Sequence, residues 1–178
     1  MEFNKIGPGA NPPEVLNAVI EIPAQAAPVK YEIDKSAGLL AVDRFLSTSM
    51  VYPANYGLIP GTLCDDGDPL DVLVVTPLPL VHGCLVRVRP VDMLEMTDEK
   101  GGDAKLLAVP TADLYAGFRD VRSVGDLAFG LKEQIEHFFK NYKSFEPGKW
   151  VKLGGWLGRE RACGEIMKTI ENYAHPTR

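Results

Sequence analysis

The sequence predicts an α+β domain in which a small, curved antiparallel sheet or barrel has α-helices packed outside it. Two observations predict this fold class. Strand-like segments dominate residues 18–109, whereas helical periodicity appears after them. In addition, the 17 glycines and 14 prolines are scattered along the chain, as in a protein of short strands joined by tight turns.

The strand candidates begin with residues 18–22 and 30–33, in which polar and apolar side chains alternate. Pro23 and Pro28 lie between these two segments, so we interpret them as two strands of a hairpin or of a sheet corner. Residues 39–45 form a third candidate. The remaining strand candidates are residues 71–76, 85–96, 105–109 and 149–153.

Two helices are predicted towards the end of the chain. The first has one apolar stripe at steps of three and four residues, formed by Leu127, Leu131, Ile135, Phe138 and Tyr142. We expect this helix to begin at Ser123, because Asp126 follows three residues later in a capping pattern. The second helix is predicted from about Arg159 to Tyr173, before Pro176.

Length and composition favour one globular domain, residues 1–178, since single domains typically hold roughly 100–200 residues. Hydrophobic residues make up 46% of the chain, which is enough for a core without disulfides. The formal net charge is −5. An acidic chain argues against general nucleic-acid binding, which usually needs a basic face, but it leaves room for a local cationic pocket.

No membrane segment or signal peptide is expected. The N-terminal residues 1–5 lack a basic region followed by an apolar run. The most apolar stretch, Val72 to Val88, is interrupted by Pro77, Pro79 and Gly83, and is too broken to span a bilayer. A cytoplasmic location is therefore expected.

The chain has three cysteines, Cys64, Cys84 and Cys163. Their number is odd and no CxxC pattern occurs, so a disulfide framework is not indicated. We expect buried or inert thiols in a reducing compartment.

The most informative motif is the acidic turn at residues 65–71, which leads directly into the apolar strand candidate after it. Asp66, Asp68 and Asp71 are spaced so that a folded turn could bring their carboxylates together. At ~5 Å and an effective dielectric constant of ~20, each pair would repel by roughly 3 kcal/mol, so such a site needs cations or protons. The alternative is a solvated turn whose side chains point apart; an EF-hand is excluded by the position of the glycine.

A second acidic segment, residues 98–105, has Asp98 and Asp103 on either side of a Gly-Gly turn between two strand candidates. Two acidic turns at strand ends could converge on hard, oxygen-binding ions, and Mg²⁺ combines few carboxylates with waters and phosphate oxygens. Taken alone, the segment also fits a hairpin turn with solubilising charges.

Cationic and phenolic side chains lie at the ends or on the faces of the predicted elements. They are Lys30, Arg44, Lys105 and Lys143, together with Tyr52, Tyr56 and Tyr142. Singly, each lysine or arginine fits a surface charge and each tyrosine a core residue. Lys30 and Arg44 alternate with apolar residues, however, and would need an anionic partner if that face lined a barrel mouth.

With these residues in view, the chain resembles the soluble family I inorganic pyrophosphatases in their short bacterial form. The resemblance extends over nearly the whole chain and is carried by residues 19–24, 30–34, 42–44, 52–57, 66–71, 105–106, 137–139 and 149–152. The segment Asp66-Gly67-Asp68-Pro69-Leu70-Asp71 matches the family signature. The resemblance implies a five-stranded OB-like antiparallel β-barrel with flanking helices.

The resemblance also implies roles for individual residues. Direct magnesium ligation is implied for Asp66, Asp71 and Asp103, support of a further ion for Asp98, and outer, partly water-mediated ligation for Glu21 and Glu32. Asp68 is implied as the general base that takes a proton from the attacking water. Pyrophosphate binding is implied for Lys30, Arg44, Tyr56, Tyr142 and Lys143, with Lys105 and Tyr52 close by.

The implied reaction is Mg²⁺-dependent hydrolysis of pyrophosphate to two orthophosphates by a metal-activated water, without a covalent intermediate, in a homohexamer. Val51 and Asn141 depart from residues common in the family, and the second lies at an expected subunit contact. The final helix, from Gly158 on, matches the family poorly and has no inferred function.

Three other functions stay open. A metal-dependent hydrolase of nucleoside triphosphates or polyphosphate would share the ion chemistry, but the chain has no P-loop pattern. An OB-like nucleic-acid or sugar-binding module would need a basic, aromatic groove where acidic turns are predicted. The last alternative is a purely structural acidic domain.

Overall fold

A computed structural model describes residues 5–34 and 36–176. Short 3₁₀ helices aside, the elements in this part of the chain are β1 (Leu16–Ile22), β2 (Val29–Asp34), β3 (Leu39–Phe45), β4 (Asn55–Ile59), β5 (Leu70–Val74), β6 (Leu85–Asp98), β7 (Gly101–Gly102), β8 (Lys105–Pro110), α1 (Leu131–Asn141), β9 (Val151–Trp156) and α2 (Gly158–Ala174).

Five strands close into a ring in the order β1-β4-β5-β8-β6, with β6 pairing back onto β1. The predicted α+β fold with a five-stranded, OB-like barrel is thereby confirmed. Four of the five junctions are antiparallel, as expected, but β5 and β8 run parallel. Outside the ring, the short strand β7 and the strand β9 both pair with the C-terminal part of β6.

The ring is covered on two sides, so its strands are buried on both faces. In β5, Leu73 belongs to one apolar cluster, whereas Val72 and Val74 belong to another. Helix α1 adds Phe138 to the first cluster, and α2 adds Ile166 to the second. Because β5 is covered on both faces, residues 72–74 are all apolar. Each such side chain contributes about 1.5–3 kcal/mol when it is fully buried.

Strand β4 was not among the strand candidates. Its central residue, Gly57, is a poor strand former by composition. The ring nevertheless requires glycine there, since a Cβ atom at Gly57 would lie 1.9 Å from the carbonyl oxygen of Val19 in β1. The close approach of β1 and β4 therefore depends on a missing side chain, which strand propensity does not reveal.

The hairpin alternative for the first two strand candidates is wrong, and so is the predicted start of the first helix. Strands β1 and β2 do not pair as a hairpin, because β1 pairs with β4 and β6 in the ring while β2 pairs with β3 in a separate two-stranded sheet. The first helix does not begin at Ser123. The carboxylate of Asp126 accepts a hydrogen bond from the Ser123 N–H at 2.8 Å and closes a short 3₁₀ helix, and Gly130, with a φ of 80°, precedes the start of α1.

The cysteines are free thiols, and they are half-buried rather than fully buried. Burial raises the pKa of the Cys64 thiol to about 12, and it also raises the pKa values of Cys84 and Cys163. A raised pKa leaves little thiolate at neutral pH, which agrees with the expectation of inert thiols. No helix in residues 5–34 and 36–176 is long and apolar enough to cross a membrane.

The buried amide of Asn55 links the ring to its connecting loops. Its oxygen accepts hydrogen bonds from the N–H groups of Ala24 (3.1 Å) and Leu80 (2.8 Å). Its nitrogen donates to the carbonyl oxygen of Val74 (2.9 Å) and to the hydroxyl of Thr76 (2.7 Å). All four bonding positions of the amide are thus used.

We expect Asn55→Ala to lower the free energy of unfolding by about 2–4 kcal/mol, because it leaves two partly buried N–H groups without an acceptor. Urea unfolding measures this change. The matched control is Asn11→Ala, at an exposed asparagine outside the strands of the ring, which should lower the free energy of unfolding by less than about 0.5 kcal/mol. Equal losses in the two variants would contradict the importance of the Asn55 network.

Candidate active site

One cavity of about 390 Å³ collects nearly all of the sequence-predicted site residues. It is lined by Glu21, Lys30, Glu32, Arg44, Tyr56, Asp66, Asp68, Asp71, Asp98, Asp103, Lys105, Tyr142 and Lys143. The exception is Tyr52, which is buried behind the cavity wall with its ring 4.5 Å from that of Phe138. The residues come from β1–β6, from β8, and from the turns and the end of α1 that these elements position.

The acidic turn, residues 65–71, has a defined backbone. Asp66 accepts a hydrogen bond from the N–H of Asp68 at 3.0 Å, and the N–H of Cys64 donates to the carbonyl of Asp68 at 2.7 Å. Gly67 has a φ of 89°, in the left-handed region that glycine adopts without strain. This folding leaves the side chains of Asp66 and Asp68 exposed at the rim of the cavity.

The two acidic turns meet around Lys105. Its ammonium contacts the carboxylates of both Asp71 and Asp103, and it lies 3.5 Å from the hydroxyl of Tyr56. Burial alone would lower the pKa of Lys105, but the two carboxylates raise it above its usual value. Lys105 is therefore a fixed positive charge inside an acidic cluster.

The parallel junction between β5 and β8 explains this arrangement. Val72 pairs with Leu106, so the residues that precede them, Asp71 and Lys105, lie side by side at the same edge of the ring. An antiparallel pair would place the starts of the two strands at opposite edges. The register thus brings a carboxylate and its cation together.

The second acidic segment is tied to the end of α1. Lys143 contacts Asp98 at 2.6 Å, and both side chains are buried. Burial would raise the pKa of Asp98, but the hydrogen bond from Lys143 lowers it below its usual value. Sequence reasoning missed Glu99, which lies 2.8 Å from Lys149 and 3.9 Å from Lys143; its place directly after Asp98 was the available indication.

The hairpin of β2 and β3 carries charges to another wall of the cavity. Lys30 contacts Glu32 and lies 3.6 Å from Asp43. Arg44 contacts Asp43 at 2.8 Å and Glu146 at 3.3 Å. Sequence reasoning missed Asp43 and Glu146 as partners; Asp43 adjoins Arg44 in the chain, but nothing local points to Glu146.

Glu21 is the most deeply buried carboxylate of the cavity. Burial raises its pKa to about 8, and the carboxylates of Asp71 and Glu32 add to the rise. The hydrogen bond from the N–H of Ile33 to Glu21 at 2.8 Å acts in the opposite direction. A carboxyl group in this position is stabilised in its charged form by any additional cation.

Partial burial likewise raises the pKa of Asp66, although the hydrogen bond from the Asp68 N–H lowers it. The carboxylates of Asp68, Asp103 and Asp71 raise it further. The cavity thus concentrates negative charge beyond what its own ammonium groups offset at this rim. Such a set of carboxylate oxygens fits a hard divalent cation such as Mg²⁺.

The side chains do not by themselves form a closed metal site. Within residues 5–34 and 36–176, no three carboxylate, histidine or cysteine side chains are grouped closely enough to hold an ion between them. Mg²⁺ commonly keeps several waters and uses only one or two carboxylates together with substrate phosphates, so an open arrangement is compatible with it.

Tyr56 and Tyr142 present phenol groups to the cavity from an aromatic cluster. The ring of Tyr142 stacks on that of Phe138 at 5.2 Å, and the ring of Tyr56 lies 5.0 Å from that of Tyr52. Burial raises the pKa values of Tyr56 and Tyr142, so both are neutral phenols that can donate a hydrogen bond.

The sequence profile of the inorganic pyrophosphatase family matches residues 18–174 of the chain. This chain belongs to the inorganic pyrophosphatase family. The matched range includes α2, the helix that was expected to match the family poorly. The predictions of the family and of an inorganic diphosphatase are confirmed.

Relatives and solved structures agree with the family assignment. The chain is 57% identical to the inorganic pyrophosphatase of Ralstonia nicotianae, over 97% of this chain and 99% of that protein. It is 56% identical to the enzyme named inorganic pyrophosphatase in Pseudomonas aeruginosa, over 96% and 97% of the two chains. A solved inorganic pyrophosphatase of Coxiella burnetii superimposes with a TM-score of 0.90 at 46% identity, covering 94% of this chain and 99% of that one.

We expect Lys105→Met to lower the free energy of unfolding by about 3 kcal/mol, because it leaves the partly buried carboxylates of Asp71 and Asp103 without their cation. Urea unfolding in EDTA measures the loss. The loss should be smaller in a background in which Asp71 and Asp103 are both replaced by asparagine, because the two carboxylate charges are then absent.

The matched control is Lys140→Met on the exposed face of α1, which should change the free energy of unfolding by less than about 0.5 kcal/mol in either background. An equal loss from Lys105→Met in both backgrounds would show that the ammonium does not act by offsetting these carboxylates.

Proposed function

We propose that the chain hydrolyses inorganic pyrophosphate to two orthophosphates in an Mg²⁺-dependent reaction. One observation carries the proposal: a single cavity combines a carboxylate-rich rim with a separate set of lysine and arginine side chains. Pyrophosphate hydrolysis needs both, since the substrate is a small polyanion and phosphoryl transfer depends mainly on positioning and charge stabilisation.

The carboxylates would hold Mg²⁺. Asp66, Asp71 and Asp103 are proposed as direct ligands, Asp98 as a ligand of a further ion, and Glu21 and Glu32 as outer ligands. The raised pKa values of Asp66 and Glu21 support this assignment, because a bound cation would offset the burial and the neighbouring carboxylates that raise them. When bound, Mg²⁺ supplies charge stabilisation at phosphate oxygens and lowers the pKa of water.

The cationic and phenolic side chains would bind and orient pyrophosphate. Arg44 can place two parallel N–H groups on one phosphate, whereas Lys30 and Lys143 act as movable point charges. In the structure these cations contact Asp43, Glu146, Glu32, Asp98 and Glu99. Tyr56 and Tyr142 would donate hydrogen bonds to phosphate oxygens, with Lys105 and Tyr52 supporting the wall behind them.

Asp68 is proposed as the general base. Its carboxylate is exposed at the rim of the cavity, and the turn that carries it is held by the hydrogen bond between its N–H and Asp66. From there it can accept a proton from a water that attacks phosphorus directly, so no covalent intermediate is needed. The resulting phosphates leave through the open side of the cavity.

The resemblance also supports a cytoplasmic homohexamer. Exposed aromatic side chains such as Phe45, Phe129 and Phe145 would be covered in an assembly. Light scattering of the full chain measures the oligomeric state, and a monomer would contradict this part of the proposal.

Release of orthophosphate from pyrophosphate tests the reaction. We expect turnover with Mg²⁺, its loss on addition of excess EDTA, and its return when Mg²⁺ is restored. ATP supplied at the same concentration with Mg²⁺ serves as the comparison. Faster release from ATP than from pyrophosphate would instead favour a nucleoside triphosphate hydrolase.

We expect Asp68→Asn to lower kcat by at least about 100-fold at saturating Mg²⁺, because the attacking water loses its proton acceptor. KM and the unfolding midpoint should change little, since the backbone contacts of the turn remain. The matched control is Asp113→Asn, an exposed aspartate paired with Arg87 outside the cavity. A near-normal kcat in Asp68→Asn would remove this residue from the role of base.

A further inference from the structure

Helix α2 contacts the chain at the point where it enters the acidic turn. The N–H of Leu63 donates to the carbonyl of Thr169 at 2.9 Å, and the side-chain amide of Asn172 donates to the carbonyl of Leu63 at 3.3 Å. Two residues after Leu63, Asp65 forms an ion pair with Lys168 at 3.0 Å. Three polar contacts thus connect one face of α2 to residues 63–65.

The same region shares an apolar core with α2. Ala162 and Ile166 of the helix belong to the buried cluster that also contains Leu70, the residue just before Asp71. Cys64 and Ile170 pack against this cluster. The entry to the acidic turn therefore rests on α2 through both polar and apolar contacts.

Hydrogen bonds within the turn connect the residues at its start to the residues beside its aspartates. The hydroxyl of Thr62 donates to the carbonyl of Ile59 at 2.6 Å and accepts from the N–H of Leu70 at 2.9 Å, so it joins both ends of the turn. The N–H of Cys64 donates to the carbonyl of Asp68 at 2.7 Å. A shift of residues 63–65 would therefore shift the turn as a whole.

We infer that α2 is a positioning element for metal binding, and that Asn172 and Lys168 act through residues 63–65 to hold Asp66 and Asp71 at their spacing. Neither Asn172 nor Lys168 lines the cavity, so both would act without touching ion or substrate. The inference rests on the proposed function, in which these aspartates hold Mg²⁺.

The physical reason is the conformational entropy that the turn loses when it becomes ordered. A turn that is fixed before the ion arrives loses little conformational freedom on binding, whereas a loosened turn must be ordered at the expense of affinity. Asn172 should matter more than Lys168, since its amide is partly buried, whereas an exposed ion pair contributes little.

Hydrogen exchange followed by mass spectrometry, carried out in EDTA, tests whether α2 holds the acidic turn in place. In Asn172→Ala we expect about three- to tenfold faster exchange in peptides that cover residues 63–71, which is the change that loss of one hydrogen bond produces. Adding Lys168→Ala should increase the effect, and Lys168→Arg alone should leave exchange unchanged, because it keeps the pair with Asp65.

Calorimetric titration with Mg²⁺ alone tests the consequence for the ion. The dissociation constant should rise about three- to tenfold in Asn172→Ala, while kcat for pyrophosphate at saturating Mg²⁺ stays near its original value. A variant of the neighbouring exposed residue, Glu171→Ala, is the matched control and should behave like the unsubstituted protein in both measurements. The Lys168→Arg variant should keep the original Mg²⁺ affinity.

Faster exchange in residues 63–71 together with weaker Mg²⁺ binding supports the inference. Unchanged exchange, or faster exchange with unchanged Mg²⁺ affinity, overturns it. A fall in kcat at saturating Mg²⁺ with unchanged affinity overturns it as well, because the helix would then act on chemistry and not on ion binding. Failure of the proposed function looks different: the unsubstituted protein would release no orthophosphate from pyrophosphate with Mg²⁺.

Discussion

The contact of one buried ammonium with two carboxylates is the constraint on which the cavity depends. Asp71 and Asp103 come from different turns, and at ~5 Å with an effective dielectric constant of ~20 their charges would repel by roughly 3 kcal/mol. Lys105 contacts both and thereby allows the two turns to meet. Because Lys105 begins β8 and Asp71 lies at the start of β5, the parallel pairing of these strands is what places the cation.

The remaining charges are arranged around this contact by separate structural units. The ring carries the acidic rim, the β2–β3 hairpin outside the ring carries Lys30 and Arg44, and the end of α1 carries Lys143. Each cation already has a carboxylate neighbour, so binding of a polyanion would exchange one set of ionic contacts for another. A nucleic-acid groove has a different character, since it needs exposed basic and aromatic side chains without an acidic rim.

Family membership and geometry support the same chemistry by independent routes. The family match covers the strands, both helices and the acidic turn, whereas the geometry shows why these particular side chains belong together. The contacts of α2 extend this picture. Lys168, Thr169 and Asn172 do not line the cavity, but they contact residues 63–65, where the chain enters the acidic turn.

The acidic turn and one charged strand face of the cavity were determined by the sequence itself, because short-range patterns set them. The turn of Asp66, Gly67 and Asp68 folds through bonds between near neighbours, and the alternation in residues 30–33 places Lys30 and Glu32 on one face. The α+β class followed in the same way from periodicities of two and 3.6 residues.

Only the tertiary structure decided how distant segments meet. The parallel junction of β5 and β8, the strand around Gly57 and the contact of Glu146 with Arg44 join residues far apart in the chain. These three features depend on ring closure and packing, which no local pattern of side chains encodes. The start of α1 at Leu131, and not at the predicted Ser123, has a local cause, because Gly130 takes a left-handed conformation before the helix.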